Sequence, residues 1–92
     1  MAVRKKAGCF SVGSKVLIRT VTHYFVGQII EINRTFVVLK DASWIASTGR
    51  FCAALTSGVL DEVEPYPDPV HVAVGALIDI TAWRHALPRE IK

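Results

Sequence analysis

The sequence is poor in the residues and segments that mark disulfide frameworks, zinc sites and membrane proteins. It has two cysteines, Cys9 and Cys52, whose wide spacing fits neither a disulfide scaffold nor a zinc ribbon. No apolar run approaches the ~20 residues that a membrane-spanning helix needs, and no signal-peptide apolar segment follows the basic first residues. The sequence therefore predicts a cytoplasmic protein with reduced thiols and no membrane partner.

The sequence also lacks a catalytic or cofactor-binding motif. Its histidines, His23, His71 and His85, lie in separate segments, and none has metal-ligand spacing to another histidine, a cysteine or a carboxylate. Cys52 lies in an apolar helical pattern, which argues against a nucleophilic role. Residues 11–14 contain one glycine and no phosphate-loop lysine at the required spacing. We therefore expect a protein that is not an enzyme and has no metal and no cofactor.

Length and composition predict one small domain that associates with copies of itself. The 92 residues are too few for two cores, since a typical domain takes ~100–150 residues. Apolar residues make up 51% of the chain, which indicates a globular rather than a disordered protein. A domain of this size buries only about 60–65% of its unfolded surface. The surplus of apolar residues therefore predicts a homo-oligomer.

The net charge of +3 is small, but the charges are unevenly distributed. A basic arm at residues 4–6 belongs to a flexible N-terminal segment, residues 1–14, which either contacts phosphate or only solubilises the chain. An acidic stretch further along carries Pro65, Pro67 and Pro69, and it predicts a solvated, extended connection. Its acidic residues are Asp61, Glu62, Glu64 and Asp68. Like charges there argue against nucleic acid on that edge, so a nucleic-acid partner is not favoured.

Residues 15–41 form the most informative unit of the chain. Three apolar, β-branched runs at residues 16–22, 25–32 and 35–40 are separated by short polar breaks and predict three strands. Turns are expected at residues 23–24 and 33–34. Gly27 lies inside the second run, where a glycine often marks a sharp bend or a bulge. Three bent strands in succession predict a small barrel.

After Asp41 the apolar spacing becomes helical. We expect a helix at about residues 47–57, with Ser47 or Thr48 as its N-cap and Gly58 as its terminator, preceded by a turn at residues 44–45. Two more strands are expected at residues 70–74 and 76–83. The fold class is therefore mainly β, a small five-stranded, bent-sheet barrel with one short helix inserted between strands 3 and 4. Residues 15–83 form this domain, and residues 84–92 are an irregular C-terminal tail.

The strand unit resembles the Sm-like family of small SH3-like barrels. The resemblance consists of a strand, then Gly27 followed by Ile29, then a third strand that ends in Leu39-Lys40-Asp41. A second apolar run around a glycine, residues 72–78, is similar to the second signature of that family. The resemblance implies a barrel that forms rings. It implies no RNA pocket, because the Asn33-Arg34 turn lacks the acidic partner found in the family and Val74 replaces its arginine.

The layout is also similar to that of short barrel proteins encoded by tailed bacteriophages. The similar features are a strand that contains Leu17-Ile18-Arg19-Thr20, the segment Leu39-Lys40-Asp41-Ala42, a nearby Trp44 and a short helix with Ala53-Ala54-Leu55. This resemblance implies a phage-encoded protein, located in the host cytoplasm or, for a structural protein, in the virion.

Two groups of residues are candidates for a ligand site. At the expected helix start, hydroxyls, a permissive glycine and a guanidinium suit an anion, with Trp44 able to stack on a base: Ser47, Thr48, Gly49 and Arg50. At the first hairpin, a cation, an imidazole and a phenol come together: Arg19, His23 and Tyr24. The alternative is that these residues cap, solvate and pack. Trp83 is a candidate for a subunit interface.

Three functions remain open. The first is a non-enzymatic, oligomeric binding protein for an anionic, nucleotide-like ligand, such as a phage sponge that sequesters a second messenger of host immunity. The second is a phage structural or assembly protein whose apolar strands are buried against copies or a capsid. The third is Sm-like RNA binding, which the missing turn residues and the acidic stretch disfavour.

Overall fold

The structure, a computed structural model, describes residues 10–92, and the basic arm and Cys9 lie outside the described residues. Strands predominate, and one α-helix lies between the third and fourth strands, so the prediction of a mainly β fold with one inserted helix is confirmed. The elements are β1 (Lys15–Thr20), β2 (Tyr24–Ile32), β3 (Phe36–Ser47), α1 (Phe51–Ser57), β4 (Glu62–Pro65), β5 (Val70–Ala73), a 3-10 turn (Val74–Ala76) and β6 (Leu77–Ala82). Among residues 10–92, no helix has the length and apolar character needed to cross a membrane.

The strands form one antiparallel sheet in the order β4-β3-β2-β1-β6, with β5 paired to β3. Within the described residues the sheet has six strands and does not close, so the expected closed barrel of five strands is not observed. The additional strand is β4. It lies in the acidic, proline-containing stretch that was expected to be a solvated connection, and Pro65 is tolerated there because it is the last residue of the strand.

β3 is longer than expected and bends in the middle. The bend lies at Asp41, whose φ of 50° is in the left-handed region, and the register with β2 shifts at Gly27. Residues before the bend pair with β5 and residues after it pair with β4. The expected end of the strand at Lys40, with residues 44–45 in a turn, is therefore wrong. The expected bend or bulge at Gly27 is confirmed.

Apolar residues are buried on both faces of the sheet. β1 contributes to both, as Val16 and Ile18 lie on one face and Leu17 lies on the other. The first core contains Val16, Ile18, Ile29, Val37, Leu39, Ala42 and Val72. The second core contains Leu17, Val26, Ile45, Ala54, Leu60, Val63 and Trp83. α1 packs on this second face through Ala54, with Phe51 and Leu55 at the margin of the core.

The helix α1 begins later than expected. Arg50 is its N-cap residue and makes no side-chain capping bond, whereas Ser47 is still in β3. The expected cap at Ser47 or Thr48 is wrong because pairing with β4 keeps the backbone at Ser47 extended. The expected terminator is confirmed, since Gly58 has a φ of 77° and its N–H donates to the Ala54 carbonyl.

The C-terminal segment, residues 83–92, has no helix or strand but is attached to the sheet by hydrogen bonds. The Ser43 hydroxyl donates to the Pro88 carbonyl at 3.0 Å, and an Arg89 N–H donates to the Ala42 carbonyl at 3.2 Å. The backbone groups of Val63 and Lys92 exchange two hydrogen bonds of 2.9 Å. This segment therefore covers the edge of β4 that does not pair with β3.

Gly27 provides a direct test of the bend. A Cβ at this position would lie 3.0 Å from the Leu39 Cβ and 3.2 Å from the Ala42 Cβ, and both neighbours are fully buried. We expect Gly27→Ala to lower the free energy of unfolding, measured by urea denaturation, by about 1–3 kcal/mol through overpacking.

Gly75→Ala is the matched control, because a Cβ there meets nothing within 4 Å. Its free energy of unfolding should be unchanged or higher by up to about 1 kcal/mol, since alanine restricts the unfolded chain. Equal effects of the two substitutions would contradict the close approach at Gly27.

Candidate functional site

A cavity lies at the end of the sheet where β2 begins and β3 ends. Tyr24 of β2 pairs with Ile45 of β3, so the loop before β2 and the loop after β3 leave the sheet side by side. The cavity between them has a volume of about 350 Å³. Its lining residues are Thr22, Tyr24, Trp44, Ile45, Ala46, Ser47, Thr48 and Gly49. Of the residues predicted at the first hairpin, Tyr24 lines this cavity. Of those predicted at the helix start, the lining includes Trp44, Ser47, Thr48 and Gly49.

Aromatic rings form a row beside this cavity. The His23 ring lies 5.8 Å from Trp44 and 6.0 Å from Phe25, and it stacks on Phe25 with an angle of 14° between the rings. Phe25 in turn lies 6.1 Å from Tyr66. Because Phe25 and Trp44 are paired in register, their side chains are on the same face of the sheet. His23 is exposed and Trp44 is half-buried, so a flat ligand has access to the row.

In the loop after β3, the hydroxyls of the anion site predicted at the helix start make hydrogen bonds within the protein. The Ser47 hydroxyl accepts a hydrogen bond from the Gly49 N–H at 3.3 Å and donates to the Asp61 carboxylate at 3.5 Å. The Thr48 hydroxyl donates to the Gly49 carbonyl at 2.8 Å. A Cβ at Gly49 would lie 3.0 Å from Asp61 Oδ1. The carboxylate of Asp61 therefore lies against two of the residues that were predicted to bind an anion, Ser47 and Gly49.

The carboxylate of Asp79 binds Arg19, the cation predicted for the hairpin group. The Arg19 Nε donates to both Asp79 oxygens, at 2.9 and 3.0 Å, and Nη2 also binds Asp79. The guanidinium carbon lies 5.9 Å from the centre of the Tyr24 ring and 5.3 Å from that of Phe51. Arg19 therefore links β1, β6 and α1 and is not among the lining residues of the cavity.

The remaining predicted residues are placed in different surroundings. Arg50 is exposed at the end of the loop after β3, and it forms no ion pair within residues 10–92. Trp83 is 2% exposed, and its indole N–H donates to the Ala86 carbonyl, so its ring packs in the core of its own chain. His71 contacts Phe36, and the His85 ring lies within hydrogen-bond distance of the Leu55 carbonyl. In the described part of the chain, no three histidine, cysteine or carboxylate side chains cluster as metal ligands do.

Some site residues were missed by sequence reasoning. Thr22 was expected in the first strand, and Ala46 was expected before the helix, but both line the cavity because β1 ends at Thr20 and β3 continues to Ser47. The role of Asp61 as partner of Ser47 was also missed. A strand prediction for residues 62–65 would have placed Asp61 opposite the end of β3, but three nearby prolines hide that signal.

The comparisons with known proteins add no functional information. No protein-family model matches the sequence, and no match was found among the curated proteins or the solved structures. What can be inferred about function therefore depends on the geometry of the cavity and its surroundings.

The pair of Arg19 and Asp79 predicts a pH dependence. The Arg19 hydrogen bonds hold the pKa of Asp79 below its ordinary value of about 3.9. Because the pKa of Asp79 is lower in the folded than in the unfolded state, the ion pair stabilises the folded protein at pH values above the unfolded pKa. This stabilisation is lost as the pH falls through the folded pKa. We expect Arg19→Ala to raise the pKa of Asp79, measured by carboxyl carbon NMR, towards its ordinary value.

Arg34→Ala, in the turn between β2 and β3, is the control and should leave the pKa of Asp79 unchanged. An Asp79 pKa that is the same with and without Arg19 would show that the pair does not persist in solution.

Proposed function

We propose that this chain is a non-enzymatic binding protein whose cavity takes an anionic, nucleotide-like ligand. The observation that carries the proposal is the juxtaposition of Trp44, the hydroxyl-bearing loop after β3 and a cavity of about 350 Å³. Pockets for small ligands have volumes of about 300–1,000 Å³ and combine apolar surfaces with a few polar groups. The cavity falls at the small end of that range, which suits one nucleotide unit.

The aromatic row supports a base-stacking role. Base–aromatic stacking contributes about 1–3 kcal/mol per base, and a half-buried ring offers a face without further loss of side-chain freedom. Trp44 satisfies this condition, and the exposed His23 ring extends the same surface. The Thr48 hydroxyl lines the cavity and donates to the Gly49 carbonyl, so its free lone pair can accept a hydrogen bond from a ribose hydroxyl.

Arg50 is the group proposed to bind the phosphate. Asp61 lies against Ser47 and Gly49, so a phosphate cannot approach that side of the loop without repulsion. The exposed guanidinium of Arg50, the next residue along the chain, offers bidentate hydrogen bonds to phosphate. Charge thus favours a ligand whose base lies at Trp44 and whose phosphate lies outside the loop, at Arg50.

The proposal includes a homo-oligomer and a phage origin. Apolar side chains are exposed on the sheet, among them Ile30 at 39%, Ile32 at 47% and Ile78 at 57%. Burial of such residues between copies would stabilise a domain of this size. An abundant oligomer that binds one ligand per chain and has no catalytic activity would sequester a nucleotide second messenger of the infected host, as a sponge does.

A structural role in the virion is the second candidate, and the exposed apolar side chains on β2 and β6 favour it. β6 is the last strand in the sheet order, so Ile78 lies on an edge that another chain can extend. Sm-like RNA binding is the third candidate, and Asp61, Glu62 and Glu64 beside the cavity disfavour it because they repel a polyphosphate backbone.

Native mass spectrometry of the full-length protein purified from bacterial cells separates these candidates. We expect a discrete oligomer that carries a nucleotide in stoichiometric amount, which is released by denaturation and identified by its mass. An oligomer that carries no ligand and binds neither cyclic dinucleotides nor ADP-ribose derivatives would contradict the sponge and favour the structural role.

Arg50→Ala tests the phosphate contact. Loss of a charge-assisted bond to phosphate should weaken nucleotide binding by about 1.5–3 kcal/mol, measured by isothermal titration calorimetry with the nucleotide found above. Arg34→Ala removes the same charge from the distant turn between β2 and β3, and it should change the affinity by much less. Equal affinity of the Arg50 variant and the unmodified protein would remove Arg50 from the site.

A further inference from the structure

Glu64 lies next to Trp44 on the face that carries the aromatic row. The two residues are directly paired between β4 and β3, and Val63, the neighbour of Glu64, points into the second core. Side chains of directly paired residues leave the same face with their Cβ atoms about 4.5–5.5 Å apart. Glu64 is exposed, so its side chain leaves the sheet beside that of Trp44 with its carboxylate accessible to a ligand.

A carboxylate at the edge of a stacking ring discriminates among the bases by their hydrogen-bond donors. An ionised carboxylate only accepts hydrogen bonds, through two oxygens side by side. Guanine presents two adjacent donors, N1–H and the 2-amino group, on its Watson–Crick edge. Adenine and cytosine place an unprotonated ring nitrogen beside their amino group, and uracil has one N–H between two carbonyls. Guanine alone among these matches both carboxylate oxygens.

We propose that the base taken at Trp44 is guanine, with Glu64 as the residue that determines this specificity. The inference rests on the proposed function and specifies its ligand as a guanine nucleotide. It also accounts for an acidic strand beside a site for an anionic ligand. The negative charge of Glu64 is directed at the base, whereas the phosphate lies at Arg50, beyond the loop that follows β3.

The test is calorimetric binding of GMP, IMP and AMP to the full-length protein. IMP retains N1–H and lacks the 2-amino group, so it isolates one of the two bonds to the carboxylate. Because a bidentate pair provides about 1–3 kcal/mol of discrimination, GMP should bind roughly 5- to 150-fold more tightly than AMP, with IMP between them. Glu64→Gln should abolish this preference and leave the affinity for AMP within about twofold.

Two further variants make each outcome decisive. Glu31→Gln, on the exposed far end of β2, removes the same charge and should keep the preference for GMP. Trp44→Ala should weaken all of the nucleotides. If nucleotides bind and depend on Trp44, but GMP is not preferred or Glu64→Gln keeps the preference, the guanine assignment is wrong and the nucleotide site stands. If none of the nucleotides binds, both proposals fail.

Discussion

The bend in β3 is the constraint on which the rest of the structure depends. At Asp41 the strand changes direction, and the absence of a side chain at Gly27 lets Leu39 and Ala42 approach β2 closely. The two halves of β3 can then pair with β5 and β4 respectively. A straight strand could not provide both pairings, and it would not carry Trp44 to the end of the sheet, where the cavity lies. The site is therefore a consequence of the bend.

The sequence predicted the elements that depend on a local pattern of residues. The prediction was wrong where pairing with a distant strand determines the backbone conformation. β-branched runs located β1 and β2, and Gly58 marked the end of α1. Residues 44–47 have a helical apolar spacing and possible capping groups, yet they are extended because β4 pairs with them. β4 itself was hidden by its prolines. A local helical pattern is a weak predictor where the same residues can pair with a strand that is distant in the sequence. The reason is that strand preference depends mainly on tertiary context.

Residue types in the sequence indicate candidate groups for a site, but they do not show which of these groups the folded chain already engages. Trp44 and Ser47 line one cavity with Tyr24, although the sequence assigned them to two separate groups. The sequence could not show that carboxylates engage two of the groups assigned to a phosphate. Asp79 binds Arg19, and Asp61 lies against Ser47. Both carboxylates are far in sequence from their partners, so only the folded chain reveals that these groups are already satisfied.

The cavity and the proposed association of copies are linked by a requirement of ligand binding. Ligand pockets commonly bury about 70–90% of the ligand surface. Here Thr22, His23 and Gly49 are exposed, so one chain would cover the proposed nucleotide on one side only. Trp83 cannot supply the missing surface, because its ring is already packed in the core. A second copy that contacts this end of the sheet would enclose the ligand, and association and ligand affinity would then rise together. Under the proposed function, the oligomer would therefore contribute to affinity as well as to stability.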